Sequence, residues 1–329
     1  MDKEINILIL SAGTRNKVVQ AFKKELAGIG RVIATDCSPL GPAIYDADAA
    51  YIVPPIRDPG YIDRILEICR KERVSGVFSL IDPELSLLAE NREKFEEIGT
   101  TPVVSSYELC ETSLNKMKMN DFLQGSAFGT AACWTDPDAF LAAVQQGTAS
   151  FPVFVKPVCG SASLNISQVE SEAELRVLFS RHDGLMIQEL LTGQEYGADV
   201  YIDLISGKCT QIFLKKKIRM RAGETDKSVS VKDPELFGLL SDFAESAGFR
   251  GMIDVDLFYQ DGHWILSEVN PRFGGGYPHA YACGANFPAA LIRNLQGRVN
   301  SAEIGNYREN VYMMKYNEIC IREASELYE

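Results

Sequence analysis

Two acidic stretches in the last third of the chain hold the residues best suited to chemistry. Gly251-Met252-Ile253-Asp254-Val255-Asp256-Leu257-Phe258 alternates apolar and acidic side chains. Ile265-Leu266-Ser267-Glu268-Val269-Asn270-Pro271-Arg272 runs as an apolar strand and stops at a proline, which cannot donate to a ladder. Strand side chains alternate faces, so Glu268 and Asn270 point the same way. The Gln260-Asp261-Gly262-His263 turn between the stretches is a hairpin signal. Such a hairpin sets Asp256 beside Glu268 and Asn270, with Asp254 one step further along. An all-oxygen set suits a hard cation such as Mg2+, which usually also takes substrate phosphates. A solvated outer face of a hairpin gives the same alternation. The ending Asn-Pro-Arg followed by Phe273-Gly274-Gly275-Gly276 is odd for a plain surface strand and favours the metal.

The second set is basic. In Lys215-Lys216-Lys217-Ile218-Arg219-Met220-Arg221, strand geometry puts Lys215, Lys217, Arg219 and Arg221 on one face. Four like charges in a row repel unless something anionic lies against them. An edge strand guarded by lysines is the alternative; in a chain of net charge -12 a phosphate-facing stripe is favoured. Lys116 and Lys156, taken alone, read as surface lysines. Lys156, however, ends the strand-like Phe151-Pro152-Val153-Phe154-Val155 and precedes Pro157 and the small-residue loop Gly160-Ser161-Ala162-Ser163-Leu164-Asn165. Such a loop lets backbone N–H groups approach phosphate, and a lysine adds a point charge. Cations on one wall, oxygen ligands on the other and an apolar strand between them make a set fit for phosphoryl transfer. Arg272 offers a fork for an acyl phosphate or a carboxylate.

The elements that must position these residues begin with a doubly wound sheet. Ile5 to Leu10 reads as a buried strand, Ser11 to Arg15 as a turn, Val18 to Leu26 as a helix and Arg31 to Asp36 as a second strand ending in an acid. Gly13 stands alone, so no dinucleotide fingerprint is present. Ala49 to Pro55, Val74 to Leu80 and Thr101 to Val104 read as further strands, with helices over Tyr61 to Arg73 and Leu85 to Ile98. Strand tips hold ligands in such sheets, so Ser11 to Arg15, Asp82 and Glu84 line a candidate substrate crevice. Taken alone, Asp82 reads as a helix cap. Helices are expected through Leu123 and over Asp138 to Gln146, Glu172 to Phe179, Leu236 to Ala247 and Ala289 to Gly297, and a final apolar strand over Val311 to Ile321. His182, His263 and His279 are not spaced as a metal site, and a structural role suits His279 as well as a substrate contact.

These motifs, in this order, resemble the ATP-grasp ligases, and within them the carbamoyl-phosphate-synthase large-chain-like group. Phe151 to Pro157 is similar to the family's nucleotide lysine strand, and Gln188-Glu189-Leu190-Leu191-Thr192-Gly193-Gln194-Glu195-Tyr196 to the hinge between its two subdomains. The resemblance implies an α/β architecture: an N-terminal doubly wound domain over 1–107, a small or lid subdomain over 108–190, and a C-terminal subdomain with the metal site over 191–329. It implies ATP and Mg2+, with Mn2+ an alternative. Lys116, Lys156 and Lys215 would contact phosphates, Glu189 and the Leu191 backbone the adenine, and Glu195 the ribose. Asp256, Glu268 and Asn270 would hold the metal, with Asp254 the alternative to Asp256. Arg272 and Lys217 would act on the transferred group. The expected reaction joins a substrate carboxylate, activated as an acyl phosphate, to an amine; a bicarbonate-using carboxylase and a catalytically silent ATP binder are the rivals. The 160–165 loop carries fewer glycines than many relatives, and a single unit without a glutaminase-like segment argues against full carbamoyl-phosphate synthesis.

Composition narrows the rest. The chain has 329 residues, 46% hydrophobic and 24% charged. Its acidity argues against a nucleic-acid surface. Eight scattered cysteines without a Cys-x-x-Cys pair, a charged start and no membrane-length apolar run point to a cytoplasmic protein acting on small molecules. A homodimer is expected only from the family.

Overall fold

A computed structural model describes residues 4–160, 167–221 and 223–329, and among them three sheets form. The first holds β1 (Asn6–Leu10), β2 (Val32–Asp36), β3 (Ala49–Ile52), β4 (Val74–Ser79) and β5 (Thr101–Pro102) in the order β3-β2-β1-β4-β5, all parallel. The crossovers carry α1 (Asn16–Glu25), α2 (Tyr61–Glu72), α3 (Asp82–Glu90) and α4 (Arg92–Glu97). The single helix expected over Leu85 to Ile98 is thus two, meeting at Asn91, whose side chain donates to the Leu87 carbonyl. The last strand is only two residues; the Val103 amide still donates to the Val77 carbonyl, and Val103 and Val104 are both buried.

Next come α5 (Tyr107–Leu114), which the sequence reading missed, and α6 (Lys116–Leu123). Asn115 starts α6 by accepting hydrogen bonds from the Met117 and Lys118 amides. A four-stranded antiparallel sheet follows, with β6 (Cys133–Trp134), β7 (Val153–Pro157), β8 (Ser167–Val169) and β9 (Leu185–Glu189) in the order β6-β9-β7-β8. Its apolar face is covered by α7 (Pro137–Gln145) and α8 (Glu172–Arg181) through Phe140, Leu141 and Leu175.

The third sheet is antiparallel and six-stranded. It holds β10 (Gln194–Ile202), β11 (Cys209–Arg221), β12 (Glu224–Val231), β13 (Gly251–Gln260), β14 (His263–Asn270) and β15 (Tyr312–Met314) in the order β14-β13-β10-β11-β12-β15. The turn joining β13 to β14 places Asp261 at φ 53° and Gly262 at φ 82°, as an Asp-Gly hairpin requires. One face of this sheet is apolar: Ala198, Val200, Ile212, Leu214, Ile253 and Val255 pack against α9 (Pro234–Ala247). The final strand, expected over Val311 to Ile321, spans three residues; beyond Lys315, whose amide still donates to the Asp226 carbonyl, Tyr316, Ile319 and Ile321 are exposed.

The chain after β14 returns to the first sheet. Phe273 packs on Phe22 and Phe78, and α10 (Tyr277–Cys283) and α11 (Phe287–Leu295) complete a cluster that also contains Ile7, Ile9 and Ala34. Asp203, at the end of β10, locks this return. Its buried carboxylate accepts from the Ile205 and Ser206 amides, from Asn294 Nδ2 and from the Asn300 amide and side chain. These donors outweigh the cost of burial and hold the Asp203 carboxyl well below the usual range.

Candidate active site

The face of the six-stranded sheet opposite α9 is ionic. Register places Asp254 opposite Asn270 and Asp256 opposite Glu268 on the β13–β14 hairpin. Asp199 of β10 lies opposite Asp254, and Gly197 opposite both Asp256 and Lys215. The four acids and amides of the hairpin therefore share one face, as their spacing predicts.

The strand between the acids and the lysines differs from expectation. On this face β10 carries Glu195, Gly197 and Asp199, not apolar side chains. Gly197 is what lets the lysines cross it: a Cβ there would lie 2.8 Å from Lys215 Cε and 3.2 Å from Lys217 Cε. Lys217 Nζ donates to Asp256 Oδ1 at 2.6 Å and to Glu195 Oε1 at 2.8 Å. Lys215 Nζ, 1% exposed, donates to Asp199 Oδ2 at 2.5 Å and lies 3.7 Å from Asp254 Oδ1. The charge repulsion of the lysine stripe is thus relieved by the protein's own carboxylates. Arg219 and Arg221 leave the stripe, because the register with β12 shifts after Lys217, and both are exposed. Burial works against the Lys217 ammonium, but Asp256 and Glu195 outweigh it and hold its pKa well above the usual lysine range. The Lys215 ammonium is likewise held up by Asp199 and Asp254 against its burial, while burial pushes the carboxyl groups of Asp199 and Asp254 up.

Lys156, at the end of β7, is buried and faces Glu268 from the second sheet. Burial lowers its pKa; Glu268 opposes this and Lys116 adds to it. The Glu268 carboxyl is pushed up by burial, with Lys116 and Lys156 opposing. Lys116 reaches the same region because its amide donates to the Val158 carbonyl and its Nζ to the Gly160 carbonyl at 2.5 Å. The loop expected to cradle phosphate lies outside the described residues from Ser161 to Asn165, as does Ala222 of the Arg221-Ala222-Gly223-Glu224 turn. Glu189 ends β9, its amide donating to the Ala132 carbonyl and its carboxylate accepting from the Ala132 amide. Leu191 lies in the link from this sheet to β10, which is pinned where Gln260 Oε1 accepts from the Thr192 and Gly193 amides.

The third wall comes from the first sheet. Arg272 Nη2 donates to Asp82 Oδ2 at 2.8 Å, with side chains 10% and 7% exposed. Asp82 does not cap α3; the cap position is Ile81 and no side-chain bond closes it. Asp82 instead occupies the first helical position, where the helix dipole favours an anion. Glu84, fully buried, anchors that turn by accepting from Tyr61 Oη and Ser79 Oγ, and burial pushes its carboxyl up. Arg15 reaches over the same gap to Glu224, which also pairs with Lys315 at 2.7 Å.

Glycines 274–276 lie between these walls with no room for side chains. A Cβ on Gly274 would overlap the Asp254 carboxylate, and one on Gly276 would lie 2.9 Å from Lys215 Cε. The histidine beyond them is structural. His279, 2% exposed, lies 2.9 Å from both Ser228 Oγ and the Val311 carbonyl, and burial lowers its pKa to about 4. Tyr277 is fixed equally firmly, donating to the Ala285 carbonyl and accepting from the Phe287 amide.

No three His, Cys, Asp or Glu side chains among the described residues close on one point as a finished metal cage. The donors present are the Asp256 and Glu268 carboxylates and the Asn270 amide. Such a part-set fits Mg2+, which takes one or two carboxylates and completes its shell with water and substrate phosphates. Asp199 and Gly197 were missed in the sequence, although Glu195, Gly197 and Asp199 follow one another at the two-residue period of a single strand face. Nothing local announced the Asp82–Arg272 contact, whose partners are 190 positions apart.

The family model described as PylC-like, N-terminal domain, matches residues 7–103, and the model described as ATP-grasp in the biosynthetic pathway with Ter operon matches residues 181–319. The chain is 31% identical over 172 residues to the vancomycin B-type resistance protein VanB of Enterococcus faecalis, covering 44% of this chain and 50% of that protein. It is 23% identical over 245 residues to the 3-methyl-D-ornithine–L-lysine ligase of Methanosarcina mazei, covering 73% and 58%. It is 24% identical over 274 residues to the carbamoyl phosphate synthase large chain of Halomonas eurihalina, covering 77% of this chain and 25% of that one. The alignments thus span about half of the first two proteins and a quarter of the third. In three dimensions the chain is similar to the N5-carboxyaminoimidazole synthetase of Staphylococcus aureus, with TM-score 0.72, 14% identity and coverage of 92% of this chain and 80% of that one.

Proposed function

We propose that this chain, which carries an ATP-grasp domain and has the ATP-grasp fold, is an ATP-dependent ligase that joins a small carboxylic acid to an amine. The observation that carries the reading is the meeting of three walls around Glu268: Lys116 and Lys156 from one side, Asp256 and Asn270 beside it on the large sheet, and Asp82 holding Arg272 from the first. Bound Mg-ATP would supply the γ-phosphoryl group that turns the carboxylate into an acyl phosphate with release of ADP, and an amine then displaces phosphate to leave the amide. Asp256, Glu268 and Asn270 would hold the metal, Mg2+ or Mn2+.

The residues of the chain position and neutralise. Lys116 and Lys156 bind phosphate oxygens, with Lys156 close to Glu268 so that a charged ligand completes the balance between them. Glu189 and the Leu191 backbone border the adenine, and Glu195 the ribose. Lys217 holds Asp256 and Glu195 in place and lends positive charge to the transferred group; Lys215 does the same for Asp254 from beneath Gly276. Arg272 receives the substrate carboxylate. The division into 1–107, 108–190 and 191–329 is proposed as the functional one, with the nucleotide between the second and third parts and the substrate against the first. No helix among the described residues is long and apolar enough to cross a membrane; a cytoplasmic enzyme of small molecules, acting as monomer or homodimer, is proposed.

The test is Mg2+-dependent ADP release by purified protein, screened against pools of amino acids, other carboxylates and bicarbonate. Stimulation by one pool is the expected result. Glu268→Gln and Lys156→Ala should each abolish release while the circular dichroism spectrum stays unchanged. Full activity in both variants would refute the site.

A further inference from the structure

The Asp82–Arg272 pair is incompletely satisfied. Asp82 Oδ2 takes one hydrogen bond from Arg272 Nη2, and Arg272 Nη1 donates to the Phe273 carbonyl at 3.0 Å. Asp82 Oδ1 and Arg272 Nε are buried and have no hydrogen-bond partner among the described residues. One is a negatively charged acceptor and the other a positively charged donor. Leaving buried charged groups unpaired is costly, and such a pair calls for a ligand that offers a donor to the first and an acceptor to the second.

Charge balance points the same way. Arg272 already answers the Asp82 carboxylate, and Asp254 and Glu268 are the other anions that act on it. A substrate carboxylate arriving at Arg272 adds one more anion to a guanidinium that Asp82 already shares. A plain carboxylate, or bicarbonate, brings no cation to offset it. An amino acid does. Because the two unpaired atoms belong to groups already in contact, the ammonium and carboxylate must be close together, as in an α- or β-amino acid. Glu84, Tyr61 and Ser79 fix the turn of α3 that carries Asp82.

We propose that the acid activated by this enzyme is an amino acid whose ammonium group is read by Asp82 while its carboxylate is held by Arg272, making Asp82 a specificity-determining residue. The inference rests on the ligase reading and adds the substrate class to it.

The experiment compares ADP release driven by a pool of proteinogenic and D-amino acids with release driven by the matched pool of deaminated acids, propionate standing for alanine, and by bicarbonate. It uses the full chain and the variant Asp82→Asn, which keeps shape but loses charge. The wild type should favour the amino acids by about ten- to a hundred-fold in kcat/KM, the worth of one buried charged hydrogen bond. Asp82→Asn should bring that ratio to within about three-fold of unity, because the amino acids lose a bond to a charged group on top of whatever both pools lose through Arg272. A residue that only braces the interface would lower both pools together and leave the ratio intact; that result overturns the proposal. So does equal use of deaminated acids or bicarbonate by the wild type, which leaves the ligase reading standing. Silence from every acid removes the ligase reading and this inference with it.

Discussion

Replacing Lys217 by methionine takes one ammonium from between two carboxylates while keeping the stem that crosses Gly197. The side chain is 3% exposed, and its partners Glu195 and Asp256 are 26% and 27% exposed. Removing one partner of a fully buried pair costs about 3–5 kcal/mol, whereas a pair in open water contributes less than about 1 kcal/mol. Partial access of water to the two acids puts the expected loss between these limits, at about 2–3 kcal/mol. The loss should depend on pH. Burial already raises the Glu195 carboxyl despite the opposing lysine, and without Lys217 it rises further. A carboxyl whose pKa is higher folded than unfolded binds more protons in the native state, so its folded form gains stability as pH falls. The deficit of the variant should therefore be largest near neutrality and shrink between about pH 7 and about pH 5. Urea melts of both proteins across that range, read beside ADP release, measure it. A deficit under about 1 kcal/mol, or one that does not change with pH, would refute a buried role for this ammonium.

Two further outcomes are expected. Gly274→Ala should abolish ADP release with the fold retained, because its methyl group displaces the Asp254 carboxylate; the check is turnover beside a thermal melt, and wild-type turnover would refute it. His279 is held neutral in the fold by burial at a pKa of about 4, against about 6.5 when unfolded. As pH falls from about 6.5 to about 4 the unfolded chain takes up the proton first, and about 3 kcal/mol of stability is lost. His279→Gln should remove that part of the acid slope in urea melts, and an unchanged slope would count against it.

Much of the fold was legible because its signals are local. The parallel strands of the first sheet read as continuous apolar runs, and the Asp-Gly turn fixed the β13–β14 register that pairs Asp254 with Asn270 and Asp256 with Glu268. The neutralisation of Lys215 and Lys217 was not legible in that way. It depends on which strand lies between the lysines and the hairpin, and that is set by the order β13-β10-β11, a tertiary fact. The capping alternative for Asp82 failed for a related reason. Position alone makes an acid at a helix start a cap, and its true partner arrives from the far end of the chain. The split of Leu85 to Ile98 into α3 and α4 shows the limit of periodicity, since the apolar spacing continues through Asn91 while the backbone does not.

The aromatic cluster under the first sheet has a consequence for synthesis. Phe22 and Phe78 are made well before Phe273, Phe287 and Leu291 of the same cluster. Roughly 190 residues separate the end of β5 from the end of α11, about 10–40 s of elongation at about 5–20 residues per second. For that interval the nascent first sheet stands at the ribosome with part of one apolar face bare. Gly76, against which Leu295 finally packs, lies on that bare face, where a chaperone has the longest opportunity to bind.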